Sequence, residues 1–311
     1  MKKASRIILM AGSILFFLAA MQSDLYAGKR VGVIMSADIP YYEVMHEAFV
    51  SEVERITAGE EQVEFVLQRP FPDSISLSNA ARKLIAFDMD LIVTYGAPAT
   101  DAVLYEKSKI PIVFAGIYNP DIAAVARQAT GCGFKVPLSS IIRYFKRLKA
   151  IGSLGIVVSG LEDASVRQFQ EMSELSRESG IAVEKIDIRT LDDLKKLENV
   201  QSDVVFITGS SLGHLWLNDV VKLLRKKKIP TADVFPDFSD SGVLMTIYSP
   251  PNLQGKVAAG MAAEILRGKE PRKIEPIVIR DTELVFNLAE ARFIGVTIPV
   301  NVLIEATKVI K

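Results

Sequence analysis

Asp90-Leu-Ile-Val-Thr-Tyr-Gly96 and Asp203-Val-Val-Phe-Ile-Thr-Gly209 are the same phrase written twice. Each is an acid, a short run of mostly β-branched and aromatic residues, and a glycine. A brief apolar run bounded by turn residues reads as a strand buried on both faces. Two further pairs surround them in the same order and at nearly the same offset. Gly32-Val-Ile-Met-Ser36 is echoed by Gly155-Ile-Val-Val-Ser159, and Lys109-Ile-Pro111 by Lys228-Ile-Pro230. Three ordered echoes point to two similar halves.

Within each half, short apolar runs alternate with amphipathic stretches. Val31–Met35, Val63–Gln68, Leu91–Thr94 and Ile112–Phe114 read as strands in the first half, with helices near 41–57, 74–87 and 98–108. Leu154–Val158, Ala182–Ile188, Val204–Thr208 and Thr231–Val234 read as strands in the second, with helices near 138–149, 162–179, 190–199 and 212–227. This alternation predicts α/β architecture: two doubly wound, parallel-sheet, Rossmann-like lobes joined by a hinge. The remaining segment supplies a helix near 252–267, a run Ile277–Ile279 and a last helix over 300–310. It is too short for a third domain and is expected to cross back and complete both lobes. The expected division is 28–118 plus about 249–281 for lobe 1, and 119–248 plus about 282–311 for lobe 2.

Residues 1–27 stand apart. Lys2, Lys3 and Arg6 precede an apolar stretch from Ile7 to Met21, and a small residue follows at Ala27. That is the pattern of a cleavable signal peptide, and the stretch is shorter than the roughly 20 residues a spanning helix needs. Cys132 is the sole cysteine, so no lipid-bearing cysteine stands at the cleavage site and no intrachain disulfide forms. A periplasmic protein that is not a lipoprotein is expected.

Composition narrows the function further. The chain has 311 residues, 49% of them hydrophobic, with 37 basic and 37 acidic side chains. That is enough apolar material for two cores, and the balanced charge removes the electrostatic case for nucleic acid. Gly209-Ser-Ser-Leu-Gly213 fits the nucleophile-elbow pattern, which would make Ser211 the nucleophile of a hydrolase. Such an enzyme needs a histidine later in the chain. The two histidines are His46, upstream, and His214, in the same turn as Ser211. The motif therefore reads as a helix start with Ser210 or Ser211 as N-cap, and no catalytic residue is assigned. Neither histidine has a neighbour at ligand spacing and there is no cysteine pair, so no metal or cofactor is expected.

What remains is a set of strand-end loops, and in open parallel sheets ligands sit beyond the carboxyl ends of the strands. Thr94-Tyr-Gly96-Ala-Pro98-Ala99 ends a strand and opens a helix, where free N–H groups suit a carboxylate. It is equally an ordinary strand-to-helix turn. Ser36-Ala-Asp38-Ile-Pro-Tyr41-Tyr42 brings one acid and two rings. The rings cover a ligand or pack on the lobe; the sequence leaves both readings open. Asn119, Ser159, Gly160, Gly209, Ser210 and Asp233 occupy corresponding ends. The expected ligand is one small molecule with its acid group near Thr94–Ala99. Asp38 or Asp233 pairs with its ammonium, and Tyr41 or Tyr42 lies over its apolar part.

Taken together, Gly96-Ala-Pro-Ala-Thr100, Ile110-Pro-Ile-Val-Phe114, Asn119-Pro120, Thr130-Gly131, Lys228-Ile-Pro230, Gly242, Gly260, Ile265-Leu-Arg-Gly268 and Leu288-Ala followed by Ile294-Gly-Val-Thr-Ile-Pro299 resemble the substrate-binding proteins of ABC transporters, of the tryptophan-binding type. The resemblance spans nearly all of the chain after residue 27. It implies the periplasmic-binding type I fold with three crossings between lobes. It also implies capture of a small molecule, amino acids among the ligands, for the permease subunits of an importer, by a monomer. A ligand-sensing protein that feeds a signalling partner uses the same fold. Departures lie at Gln128-Ala-Thr-Gly131, where the family has Asn-Ile-Thr-Gly, and in the aromatic, acidic loop Val234-Phe-Pro-Asp-Phe238.

Overall fold

The two echoed phrases become equivalent strands of two sheets. In this computed structural model, which describes residues 28–60, 62–120, 129–238 and 240–311, the first lobe opens with β1 (Lys29–Met35), helix α1 (Pro40–Ile56), β2 (Val63–Gln68) and α2 (Ser74–Ala86). It continues with β3 (Leu91–Tyr95), α3 (Ala97–Tyr105), β4 (Ile112–Tyr118) and β5 (Ala129–Phe134). The second lobe carries α4 (Leu138–Leu148), β6 (Ser153–Val158), α5 (Asp163–Glu178), β7 (Ala182–Asp187) and β8 (Val204–Ile207). Then come α6 (Ser211–Leu215), α7 (Leu217–Lys226), β9 (Thr231–Asp233) and β10 (Met245–Tyr248). The tail adds α8 (Pro251–Leu266), β11 (Ile277–Ile279), β12 (Glu283–Asn287), α9 (Leu288–Ile294), α10 (Val300–Leu303) and β13 (Lys308–Ile310).

Strand order is β11-β5-β4-β3-β1-β2 in one sheet and β13-β12-β10-β9-β8-β6-β7 in the other. The first sheet is parallel throughout, and the second is parallel except where β12 runs against β10. β3 lies between β1 and β4, and β8 lies between β6 and β9, so the repeated phrases hold the same place in each lobe. Both strands are buried along their whole length, as their apolar runs require. The chain passes between lobes at 135–137, 249–250 and 280–282, the three crossings of the type I arrangement.

Three expectations need correction. Residues 129–134, given to lobe 2 from the sequence, belong to lobe 1, because β5 pairs in parallel with β4 from Ile112↔Ala129 onward. Its sequence, Ala129-Thr-Gly-Cys-Gly-Phe134, has too few branched residues to read as a strand, yet every position is buried. The expected last helix is a single turn followed by β13, which pairs with β12. The helix expected near 212–227 breaks at Trp216 into α6 and α7. The signal-peptide reading and Gln128 lie outside the described residues.

Helix α8 returns to the first lobe and lies on α1. Gly255 permits this: a Cβ there would sit 2.2 Å from the Met45 carbonyl oxygen. Cys132 is buried in the same region and its thiol donates to Gln254 O at 3.1 Å, while burial pushes its pKa up to about 12. It is a core residue.

Candidate functional site: the seam between the lobes

β1 ends at Met35, and helix α1 starts with Pro40 in its first turn, followed at once by Tyr41 and Tyr42. Both rings are buried, and they meet the opposite lobe. Tyr41 stacks on Phe235, from the loop after β9, with centroids 3.9 Å apart and planes 10° from parallel. Tyr42 Oη lies 3.2 Å from Ser211 Oγ. Gln254, at the start of α8, donates Nε2 to Tyr41 Oη at 2.8 Å. Burial raises both phenol pKa values, Tyr42 adding to the effect at Tyr41, so the rings stay neutral. The two tyrosines singled out from sequence thus clasp the lobes together.

The first-lobe strand ends are largely used up by internal bonds. Ala99 N–H donates to Ser36 Oγ at 3.0 Å, Thr94 Oγ1 lies 2.8 Å from Thr100 Oγ1, and Thr100 Oγ1 donates to Gly96 O at 2.9 Å. Thr100 N–H also points to Gly96 O, and Pro98 has no N–H to give. The loop takes this form because Gly96 sits at φ +87°, with Tyr42 Oη and Ser36 Oγ packed where a side chain would be. A carboxylate seated on Thr94–Ala99 would find most donors taken, which corrects the expectation placed there. Asp38 is half exposed and bonded to Arg69 at 2.7 Å, so it is not a free partner for an ammonium group. Asn119 adopts φ +41° and gives its N–H to Phe134 O, which makes it a turn residue.

The second lobe is wired in the same way. The Glu162 carboxylate accepts from Ser210 Oγ at 2.7 Å, Ser211 N at 2.8 Å and Leu212 N at 3.0 Å. Ser210 Oγ in turn accepts from Gly213 N, so Ser210 is the N-cap of α6. His214 has Nδ1 2.7 Å from Ser210 O and Nε2 2.9 Å from Asp233 Oδ2. Both neighbours are acceptors, so both ring nitrogens must carry protons. Burial alone would lower the pKa of this histidine, but Asp233 and the Ser210 carbonyl outweigh it and raise it. Asp233 also accepts from Val234 N and Phe235 N. It is therefore committed to His214 and its own loop, which corrects its assignment to a ligand ammonium. Gly209 N–H donates to Gln168 Oε1 and Gly160 N–H to Asp187 Oδ1, both at 2.8 Å. Ser211 Oγ faces Tyr42, and both ring nitrogens of His214 are turned to other partners.

What is left unpaired marks the site. A cavity of about 530 Å³ opens between the lobes, lined by Pro72, Asp73, Leu77, Pro98, Asp101 and Tyr105 on one side and Ser159, Leu161, Glu162, Asp163 and Leu212 on the other. Pro98 and Ser159 are the two sequence candidates that reach it. Along the seam, Ser159 Oγ, Arg167 Nε, Gln168 Nε2, Ser249 Oγ and Gln254 Oε1 are buried without a hydrogen-bond partner. Helix α5 presents Asp163, Arg167 and Glu171 one turn apart on the face toward lobe 1. Arg167 Nη2 approaches Tyr118 O at 3.5 Å, and Glu171 accepts from Tyr118 Oη at 2.8 Å and from Lys135 Nζ. Reading strand ends alone missed this face. The acid–base–acid spacing of α5 was the available signal.

Among the described residues, no three His, Cys, Asp or Glu side chains gather as a metal site would require, and no helix is long and apolar enough to cross a membrane. No curated protein matches the sequence. Solved structures do resemble this one. An ABC domain from Streptococcus pneumonia in complex with L-Trp is 20% identical, covers 91% of this chain and 100% of its own, and superposes with a TM-score of 0.85. A conserved domain protein from Vibrio cholerae is 21% identical over 90% of this chain and 99% of its own, also at 0.85. The leucine-binding protein LivK from Thermotoga maritima is 15% identical over 77% of this chain and 83% of its own, at 0.58. These likenesses establish the periplasmic-binding type I fold. The family model for ABC transporter substrate-binding proteins matches residues 57–310, and the chain belongs to that family.

Proposed function

We propose that this protein captures a small carboxylate-bearing solute, an amino acid among the candidates, between its lobes outside the cytoplasm and delivers it to the permease of an ABC importer. The observation that carries the ligand class is the pair of buried donors, Arg167 Nε and Gln168 Nε2, that have no acceptor. An unsatisfied buried polar group costs about 1–3 kcal/mol, so an acceptor that enters the seam is rewarded. A carboxylate meets a guanidinium in paired, charge-assisted bonds. The acid group is therefore assigned to Arg167 and Gln168 in place of Thr94–Ala99. Ser159 and Pro98 line the cavity between the lobes, and Tyr41, Tyr42 and Phe235 supply aromatic surface once the lobes part. Closure of hinged lobes around a ligand is the expected working motion.

A thermal-shift panel of amino acids, small organic acids and their amides or esters tests the reading. Binding to the folded state alone adds about 2.7 kcal/mol of stability at one hundred times the dissociation constant. Acids are expected to raise the melting temperature and their amides to leave it unchanged, with the response lost in Arg167→Met. A protein that responds to uncharged sugars and to no carboxylate overturns the ligand class. Export is checked separately: the intact mass of the secreted protein should lack about the first 27 residues.

A further inference from the structure

The Tyr41–Phe235 stack that joins the lobes rests, on its lobe 2 side, on a histidine. The His214 ring packs against Phe235 with centroids 4.6 Å apart, and its side chain is 5% exposed. Its two nitrogens meet two acceptors, Ser210 O at 2.7 Å and Asp233 Oδ2 at 2.9 Å. Asp233 Oδ1 accepts from Val234 N at 2.6 Å and from Phe235 N at 3.0 Å. The carboxylate that holds the imidazole therefore also holds the backbone that carries the Phe235 ring. Backbone donors favour the ionised carboxylate, which has no proton to share with Nε2. Only the imidazolium satisfies both contacts.

Lobe 1 closes over this group. Ile39, Pro40 and Tyr41 wall a small crevice together with His214 and Phe235, and the rest of that lining, from α6, α7 and the loop after β9, is uncharged. The ionisable groups that bear on the ring are Asp233 from β9 and Glu162 ahead of α5, both acids of lobe 2. From lobe 1 it meets only the Tyr41 phenol, which burial keeps neutral.

We propose that protonation of His214 controls closure: the imidazolium keeps the clasp in place, and its loss lets the lobes part as pH rises. The reason lies in access to water. In the closed seam a neutral imidazole turns a lone pair on either the Ser210 carbonyl or the Asp233 carboxylate. Both contacts are at hydrogen-bond distance, so no water fits between the partners. Once the lobes separate, water donates to the abandoned acceptor and removes the penalty. Protonation thus favours the closed form, and closure in turn favours protonation. The histidine's own balance agrees: burial alone lowers its pKa, and Asp233 with the Ser210 carbonyl carries it above the ordinary value. The other histidine takes no part, because burial, helped by Arg69, holds His46 down at about 4. This control over closure holds whatever the solute is.

Proton NMR of the unliganded protein follows both histidines, and His46→Gln shows which signal is His214. His214 is expected to titrate above about 6.5 in the wild type. Most of that elevation should vanish in Tyr41→Ala, a change in lobe 1 that uncovers the ring. Tyr42→Phe, which removes only the bond to Ser211, should move the midpoint the same way by less. A midpoint that is unchanged or raised in both variants means that lobe 2 alone sets the proton's affinity, and overturns the proposal. Small-angle scattering supplies the reciprocal measurement. The wild-type radius of gyration should grow from about pH 6 to about pH 9, the closed-to-open ratio falling about tenfold for each unit by which closure raises the pKa. In His214→Gln it should stay constant over that range. A wild type of constant size, or a His214→Gln protein that still expands, counts equally against the proposal.

Discussion

Replacing Phe235 by alanine tests whether the seam aromatics close this molecule. The ring is 2% exposed and lies against Tyr41, His214, Tyr42 and Phe134, with centroids 3.9, 4.6, 6.3 and 6.3 Å away. Removing a fully buried phenylalanine costs about 3–5 kcal/mol when the cavity cannot collapse. Part of that belongs to lobe 2 itself, through His214, and persists when the lobes separate. The part specific to closure is the stack on Tyr41, and an aromatic pair contributes about 0.5–1.5 kcal/mol beyond its buried area. Its loss shifts the closed-to-open ratio by roughly two- to tenfold, since 1.4 kcal/mol is a factor of ten. Urea unfolding should therefore show a drop of several kcal/mol, and scattering from the unliganded variant should show a larger radius of gyration. Tyr41→Phe is the matched control, because it keeps the stack and removes only the Gln254 bond. If Phe235→Ala loses less than about 1 kcal/mol and scatters like the wild type, the ring is not holding the lobes together and the reasoning fails.

His214 makes the protein pH-sensitive in a defined direction. Its folded pKa is raised, so its stabilisation is complete below the unfolded value of about 6.5 and fades as pH rises through the folded value; the advantage of wild type over His214→Gln in urea unfolding should shrink across that window. His46 works oppositely: burial, with help from Arg69, lowers its pKa to about 4, so stability it withholds at low pH returns between about 4 and 6.5, and His46→Gln should flatten that rise. Gly255→Ala should destabilise by about 1–3 kcal/mol in thermal unfolding, because α1 and α8 must part to admit a methyl group where Met45 O now sits. Ser211→Ala should leave any trace esterase activity unchanged, since the hydroxyl faces Tyr42 rather than a base; loss of a robust rate in a folded variant would restore the hydrolase reading.

The repeat of Asp90–Gly96 at Asp203–Gly209 was enough to determine two parallel sheets and their central strands, because strand burial is a property of a few adjacent residues. The Ser210 cap was legible for the same reason, since a cap and its helix are neighbours in the chain. Strand β5 was hidden, because its burial comes from lying between β4 and β11 and not from its own small residues. The candidate site was half legible. Position at a strand end follows from sequence, but whether an N–H or carboxylate there is free depends on what another segment brings to it. Ser36 takes the Ala99 donor from a distant strand end, Arg69 takes Asp38, and His214 takes Asp233. Equally, Asp101 and Asp163 became neighbours only when α3 and α5, from different lobes, met across the seam. Local pattern thus determined which elements form and where each loop ends, and the tertiary structure alone decided which polar groups are spent and which remain for a ligand, because hydrogen bonds are satisfied in space and not along the chain.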